Sequence, residues 1–260
     1  MRKGLGGLMC VLLLLSITII SWKPADANKS NSLKSSDAAK ELLARYIDNI
    51  YQSAHLEESG LDFLVFKKAL TGFLNLKASN KLSQNSTILT VVDLAKSSCE
   101  KRMWIINVIN KELILNTWAS HGQGSGDDIP TSFSDNNDSR QSSLGFYITD
   151  NVYYGKNGRS LHLDGLDAGF NANARARAIV LHGADYVSQG TIDVLGRLGR
   201  SYGCPAVPLE DLDMVIETVK NKTLLFINGN DDRYHSKYLD EDLAANFVQS
   251  DLRNSMIANL

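Results

Sequence analysis

Apolar residues recur at spacings of three and four between Asp37 and Ala54, through Leu42, Leu43, Tyr46, Ile47, Ile50 and Tyr51. That period predicts an amphipathic helix, with Ser36 or Asp37 as its cap. A second helix is predicted from Leu61 to Lys77, with Phe63, Phe66, Leu70, Phe73 and Leu74 on one face as core residues. Asn28 to Ser36 is small and polar and reads as a flexible leader, and Ser79 to Thr87 as a polar connection.

Beyond Thr87 the pattern shortens to that of strands. Thr87–Asp93, Arg102–Val108 and Glu112–Trp118 are β-rich, and Asn110-Lys111 marks a hairpin turn between the last two. Gly122 to Ser143 is rich in Gly, Ser, Asp and Asn and predicts a long loop, a feature usually tied to function in a compact domain. Short strands follow at Phe146–Thr149, Ala178–Leu181 and Thr223–Ile227, with a turn at Gly155–Gly158. Helices are expected at Ser188–Gly196, Leu209–Lys220 and in the tail from Leu239. The fold class is therefore α+β: residues 28–86 form a leader and helical region, 87–235 a β-rich domain, and 236–260 a helical tail.

The first 27 residues differ from the rest. Arg2 and Lys3 precede an apolar run from Leu8 to Ile20, and Ala25-Asp26-Ala27 places small residues where a signal peptidase reads. This is the three-part pattern of a secretory signal. The run is shorter than the ~20 residues a spanning helix needs, so cleavage after Ala27 and a location in the periplasm or cell envelope are expected. Met9 before Cys10 does not suit a lipoprotein signal. A net charge of −2 without charged blocks argues against a nucleic-acid partner.

Cys99 and Cys204 remain after the signal. In an oxidising compartment they are candidates for one disulfide; a nucleophile would have to stay free. Gly203 lets the backbone before Cys204 take unusual dihedrals, and Pro205 restrains Cys204 to extended ones. His182 stands at the end of a buried strand, a place where rigid scaffolds display reactive groups. An imidazole, and Arg200, would favour the thiolate, and the N–H groups around Tyr202, Gly203 and Cys204 are candidates for an oxyanion hole. On residues alone, a buried or bridged cysteine competes with this reading. His121, His182 and Cys204 lack the close spacing of a zinc site, and Asp135 to Asp138 lacks the glycine and distal Glu of a calcium loop. No metal or cofactor is expected. His162 and His235 read as surface residues, Arg197 as a solvated helix charge, and Tyr186 and Tyr202 as either an aromatic wall or core.

The segments Arg177-Ala178-Ile179-Val180-Leu181-His182-Gly183-Ala184 and Gly199-Arg200-Ser201-Tyr202-Gly203-Cys204-Pro205-Ala206 resemble the murein L,D-transpeptidase catalytic domain (YkuD-like) family, in the branch with an RS-x-GCPA motif. Ala119 to Gly126, Ser142 to Tyr147 and Gly155 to Gly158 add to the likeness, which spans roughly Leu89 to Ile227. The resemblance implies a cysteine acyl-enzyme acting on peptidoglycan stem peptides, with Cys204 as nucleophile and His182 as base. Tetrapeptide stems would be joined by 3→3 cross-links, or trimmed by L,D-carboxypeptidase action with water as acceptor; a non-catalytic cell-wall-binding module is a further alternative. Ser201, Tyr202 and Gly203 are assigned to the oxyanion hole and its support, and Arg200, His121 and Gly183 to substrate binding. The chain departs from the commoner motif at Tyr202, where a His is usual, and at Ala206, where an Arg is usual. The 22 positions from His182 to Cys204 (204 − 182) are also many, which suggests an insertion around Gln189 to Leu198.

Overall fold

The computed structural model describes residues 27–83 and 85–258, and of residues 27–36 and 255–258 the backbone alone. The signal segment and Cys10 lie outside the described residues. Helix α1 runs Ala27–Ser53, so the expected leader from Asn28 is its first turns, and neither Ser36 nor Asp37 caps it. No Gly or Pro interrupts the chain there, so the helix continues past the point where its apolar stripe ends. Helix α2 (Phe63–Ala78) is capped by Asp62, whose carboxylate accepts from the Leu64 and Val65 N–H groups.

Eight strands form one sheet: β1 (Ile88–Asp93), β2 (Met103–Asn107), β3 (Glu112–Thr117), β4 (Gly145–Gly155), β5 (Gly158–Gly165), β6 (Val180–Gly183), β7 (Ala206–Val207) and β8 (Leu224–Asn228). Their order is β3-β2-β1-β8-β4-β5-β6-β7. The β1–β8 and β6–β7 pairs are parallel and the others antiparallel. The chain leaving β3 then pairs with the opposite edge, Ser120 against Ala206 and Gly122 against Ser201, which curls the sheet into a barrel-like form. Helices α3 (Gln189–Leu195), α4 (Leu212–Val219) and α5 (Glu241–Ala258) complete the fold.

Alternation along the strands divides the interior into two cores. Leu89 and Val91, Trp104 and Ile106, Phe146, and Leu224 and Phe226 face the core shared with α1, α2 and α5. Val92, Met103, Ile105, Tyr147, Leu225 and Ile227 face the other, which α4 closes with Leu212, Val215, Ile216 and Val219. The amino-terminal helices and the carboxyl-terminal helix thus share one core with the sheet. Asn75 fastens this layer by donating to the Tyr238 and Asp240 carbonyls, while Lys40–Asp242 and Lys67–Glu241 bridge its surface. The site lies at the β6–β7 edge, away from these helices.

Candidate active site

Strand β6 carries His182, and the chain returns through α3 to lay β7 parallel to it, with His182 opposite Ala206. Cys204, two residues earlier, therefore stands beside Val180. The Val180 N–H points at the Cys204 sulfur at 3.4 Å, and the thiol faces the Ala178 carbonyl at 3.7 Å. Cys204 and His182 line one cavity of about 570 Å³, together with Arg177, Arg200, Ser201 and Tyr202. The tip of the β4–β5 hairpin, Lys156 and Asn157, forms part of its wall, as does Tyr186, whose hydroxyl burial pushes up to about 12.

Nδ1 of His182 lies 2.9 Å from the Gly183 carbonyl. A carbonyl only accepts, so Nδ1 carries the proton and the neutral ring keeps its lone pair on Nε2. Burial holds this imidazole below its ordinary pKa, partly offset by that bond. Burial also pushes the Cys204 thiol above its ordinary value; the Val180 N–H and the Arg177 charge pull the other way without overcoming it. Within the shared cavity the directions thus favour a thiol and a neutral imidazole at rest, which corrects the expectation that neighbouring charges lower the thiol.

Several expected site residues are engaged in holding the site, and of these Gly183, His121 and Gly203 do not line the cavity. Gly183 supplies the carbonyl that fixes His182, and a Cβ there would meet Leu212 of α4 and Leu209 in the turn before it within 3.0 Å. His121 is buried: its Nδ1 accepts from Arg102 at 2.8 Å, which leaves Nε2–H for the Gly126 carbonyl. It braces the long loop and does not line the cavity. Burial and the Arg102 charge push its pKa down to about 4. Ser201 donates to the Cys204 carbonyl at 2.6 Å and accepts from the Gly203 N–H at 3.1 Å, so it holds the turn and touches neither imidazole nor thiol. Gly203 has φ +120°, a conformation for which glycine is suited, and its N–H is engaged by Ser201. Arg200 lines the cavity, but its guanidinium is bonded to Asp127 and the Gly126 carbonyl.

Arg177 was given no role by sequence reasoning. Its side chain is 3% exposed and donates to the Ser134 and Gln141 carbonyls and the Ser139 and Ser143 hydroxyls. It clips the end of the long loop to the Cys204 cavity and supplies its buried positive charge. Position 206, where the commoner motif has an Arg, is fully enclosed in β7. Cys99 and Cys204 are both free thiols, which removes the disulfide alternative; Cys99 is half-buried against the Gly196 carbonyl. The Ser188–Gly196 segment is α3, capped by the Ser188 hydroxyl and by Gly196 in a left-handed conformation.

Among curated proteins no sequence matches this chain. Solved structures similar to it include an L,D-transpeptidase from Mycobacterium smegmatis (10% identity, 55% of this chain and 59% of that one, TM-score 0.35). Another is an L,D-transpeptidase from Stackebrandtia nassauensis (14% identity, 64% and 68%, TM-score 0.35). A third is from Xylanimonas cellulosilytica (12% identity, 62% and 79%, TM-score 0.31). The chain spans about three fifths of the length of the first of these. The family model of the L,D-transpeptidase catalytic domain matches residues 57–228, more than half of the chain and inclusive of His182 and Cys204, and the chain belongs to that family.

Proposed function

We propose that this protein is a cysteine-dependent L,D-transpeptidase that joins peptidoglycan stem peptides outside the cytoplasmic membrane. The observation that carries the reading is the pairing of β6 with β7, which lines one cavity with a free Cys204 and with a His182 whose unprotonated nitrogen is Nε2. Nε2 takes the thiol proton as the sulfur attacks the carbonyl at the L-centre of the diamino acid in a tetrapeptide stem. With Gly203 N–H occupied by Ser201, the Tyr202 and Cys204 N–H groups are the candidate donors to the oxyanion. The bond to the terminal D-alanine breaks, its amine takes the proton from the imidazolium, and a thioester remains. The amine of a second stem attacks this thioester, His182 takes the proton released, and the C–S bond breaks to give a 3→3 cross-link and regenerate the thiol. Water in place of the amine gives the L,D-carboxypeptidase product.

The test is incubation of wild type and Cys204→Ala with disaccharide tetrapeptides, with products read by mass spectrometry, and separately with a carbapenem, read as intact mass. Cross-linked dimer and a carbapenem adduct are expected from wild type alone. Dimer formed by Cys204→Ala overturns the reading. Tripeptide without dimer assigns water as the acceptor, and neither product nor adduct from wild type leaves a binding module.

A further inference from the structure

Tyr202 is 60% exposed at the mouth of the Cys204 cavity, two residues from the nucleophile. Its ring holds the Arg140 guanidinium 4.5 Å and the Lys156 ammonium 6.0 Å from its centroid. The three side chains come from separate segments: Arg140 from the long loop, Lys156 from the β4–β5 hairpin tip, and Tyr202 from the nucleophile turn. The Arg140 backbone is fixed, because its carbonyl accepts from the Gly124 N–H at 2.9 Å. Among the described residues neither Arg140 nor Lys156 pairs with a carboxylate, whereas Arg200 in the same cavity is matched by Asp127 and Arg177 by the loop it clips. The ring's π face attracts each cation by only about 0.5–1 kcal/mol when exposed. An anion at this rim would meet positive charge that no carboxylate of the described residues pairs, and would gain charge-assisted hydrogen bonds. The chain as a whole carries −2, so this positive rim does not follow from general basicity.

We propose that Arg140, Lys156 and Tyr202 form a subsite that takes a free carboxylate of the incoming peptide and sets its specificity. The proposal deepens the peptide-transfer reading above and rests on it for the identity of the ligand. Engagement of the carboxylate draws the hairpin and the loop onto Tyr202, and so onto the turn that carries Cys204.

Iodoacetate and iodoacetamide test the rim without turnover, since they differ only in a carboxylate. Alkylation at the Cys204 peptide, separated from Cys99 by mapping, gives a rate ratio in which the thiol's own reactivity cancels. Reversal of both charges (Arg140→Glu, Lys156→Glu) is expected to lower the iodoacetate/iodoacetamide ratio roughly tenfold. The same change in net charge on α1, Lys40→Glu with Arg45→Glu, is expected to leave it in place, because α1 covers the other face of the sheet. A ratio unchanged by the rim reversal, or lowered equally by the α1 reversal, overturns the subsite. With donor peptides, the reversal is expected to raise KM for the free acid and leave KM for its carboxamide analogue; equal effects on both overturn it too. If the chain transfers no peptide, the peptide arm is silent and the alkylation ratio still decides the subsite. If it transfers acid and amide alike in every variant, the subsite fails while the proposed function stands.

Discussion

Replacement of Arg177 by Met removes a buried guanidinium and leaves its acceptors unpaired. Four hydrogen bonds from a charged donor disappear, and the Ser134 and Gln141 carbonyls lose the partner that held them. Asp135, 8% exposed and 3.8 Å away, loses its nearest positive charge. Removing one member of such a buried charged network costs about 3–5 kcal/mol. For a chain of this size that is a fall in Tm on the order of 6–20 °C, at about 2–4 °C per kcal/mol. Arg200→Met is the comparison: it bonds one carbonyl and an Asp127 side chain that is 84% exposed, so a loss near 1 kcal/mol is expected. Thermal melts followed by circular dichroism give the ranking. The second readout is the pH dependence of iodoacetamide alkylation at Cys204. Arg177 draws the thiol downward, so Arg177→Met moves the midpoint to higher pH, and Arg177→Lys, which keeps the charge and loses the fork, moves it back. Arg177→Met melting together with Arg200→Met, or an unmoved midpoint in a folded Arg177→Met, refutes the role.

Gly203→Ala places a Cβ 2.8 Å from the Gln141 carbonyl oxygen at φ +120°. It is expected to destabilise by about 1–3 kcal/mol and to slow carbapenem acylation on the order of a hundredfold by shifting the nucleophile turn; acylation at the wild-type rate contradicts this. Ser201→Ala removes the hydroxyl that ties Gly203 N–H to the Cys204 carbonyl, and a loss near tenfold in acylation with little change in melt is expected. Stability is expected to fall as pH drops from 6.5 toward 4. The unfolded chain protonates His121 near 6.5 while the folded chain holds it neutral to about 4. The unfolded state therefore binds more protons in that window, worth about 3 kcal/mol at its acid end. Denaturant titrations at pH 7 and 4.5 on wild type and His121→Gln check this: the variant should show the smaller drop.

That His182 and Cys204 share one cavity was legible from a strand that carries His182, from glycine and proline on either side of Cys204, and above all from the family resemblance of both segments. Strand β5 was not, because in Gly158–Gly165 the apolar Leu161 and Leu163 are separated and flanked by polar residues that the surrounding sheet buries. Strand β7 has two residues, too few to show any period. The role of Arg177, and the bracing rather than substrate-binding place of His121, were hidden for a different reason. The partners that define them lie 34 to 43 positions away in the loop for Arg177, and 19 away, just before β2, for His121. A lone Arg before an apolar run looks like a flanking charge, and only the closed sheet reveals that its guanidinium is enclosed. The extension of α1 to Ala27 was missed because it has no apolar stripe of its own and is set by the absence of a breaker.

The directions in which burial moves His182 and Cys204 favour one kind of cysteine chemistry over another. A preformed thiolate–imidazolium pair needs the thiol pulled down and the imidazole pushed up; here burial moves both the opposite way. Under the proposed function the proton would then move from sulfur to Nε2 during attack, with the developing oxyanion and the buried Arg177 charge offsetting the charge separated in the cavity. Two consequences follow in one experiment, single-turnover acylation by a carbapenem. The acid limb of the rate lies below pH 6.5, since His182 must stay neutral to act as base and its folded pKa is depressed. Acylation also slows in D2O on the plateau above that limb, because the proton is in flight in the transition state. A preformed pair gives the reverse, with no solvent isotope effect and a plateau that collapses as the imidazolium loses its proton. Observing that reverse pattern would place the charge on sulfur before substrate arrives and would remove His182 from the role of general base.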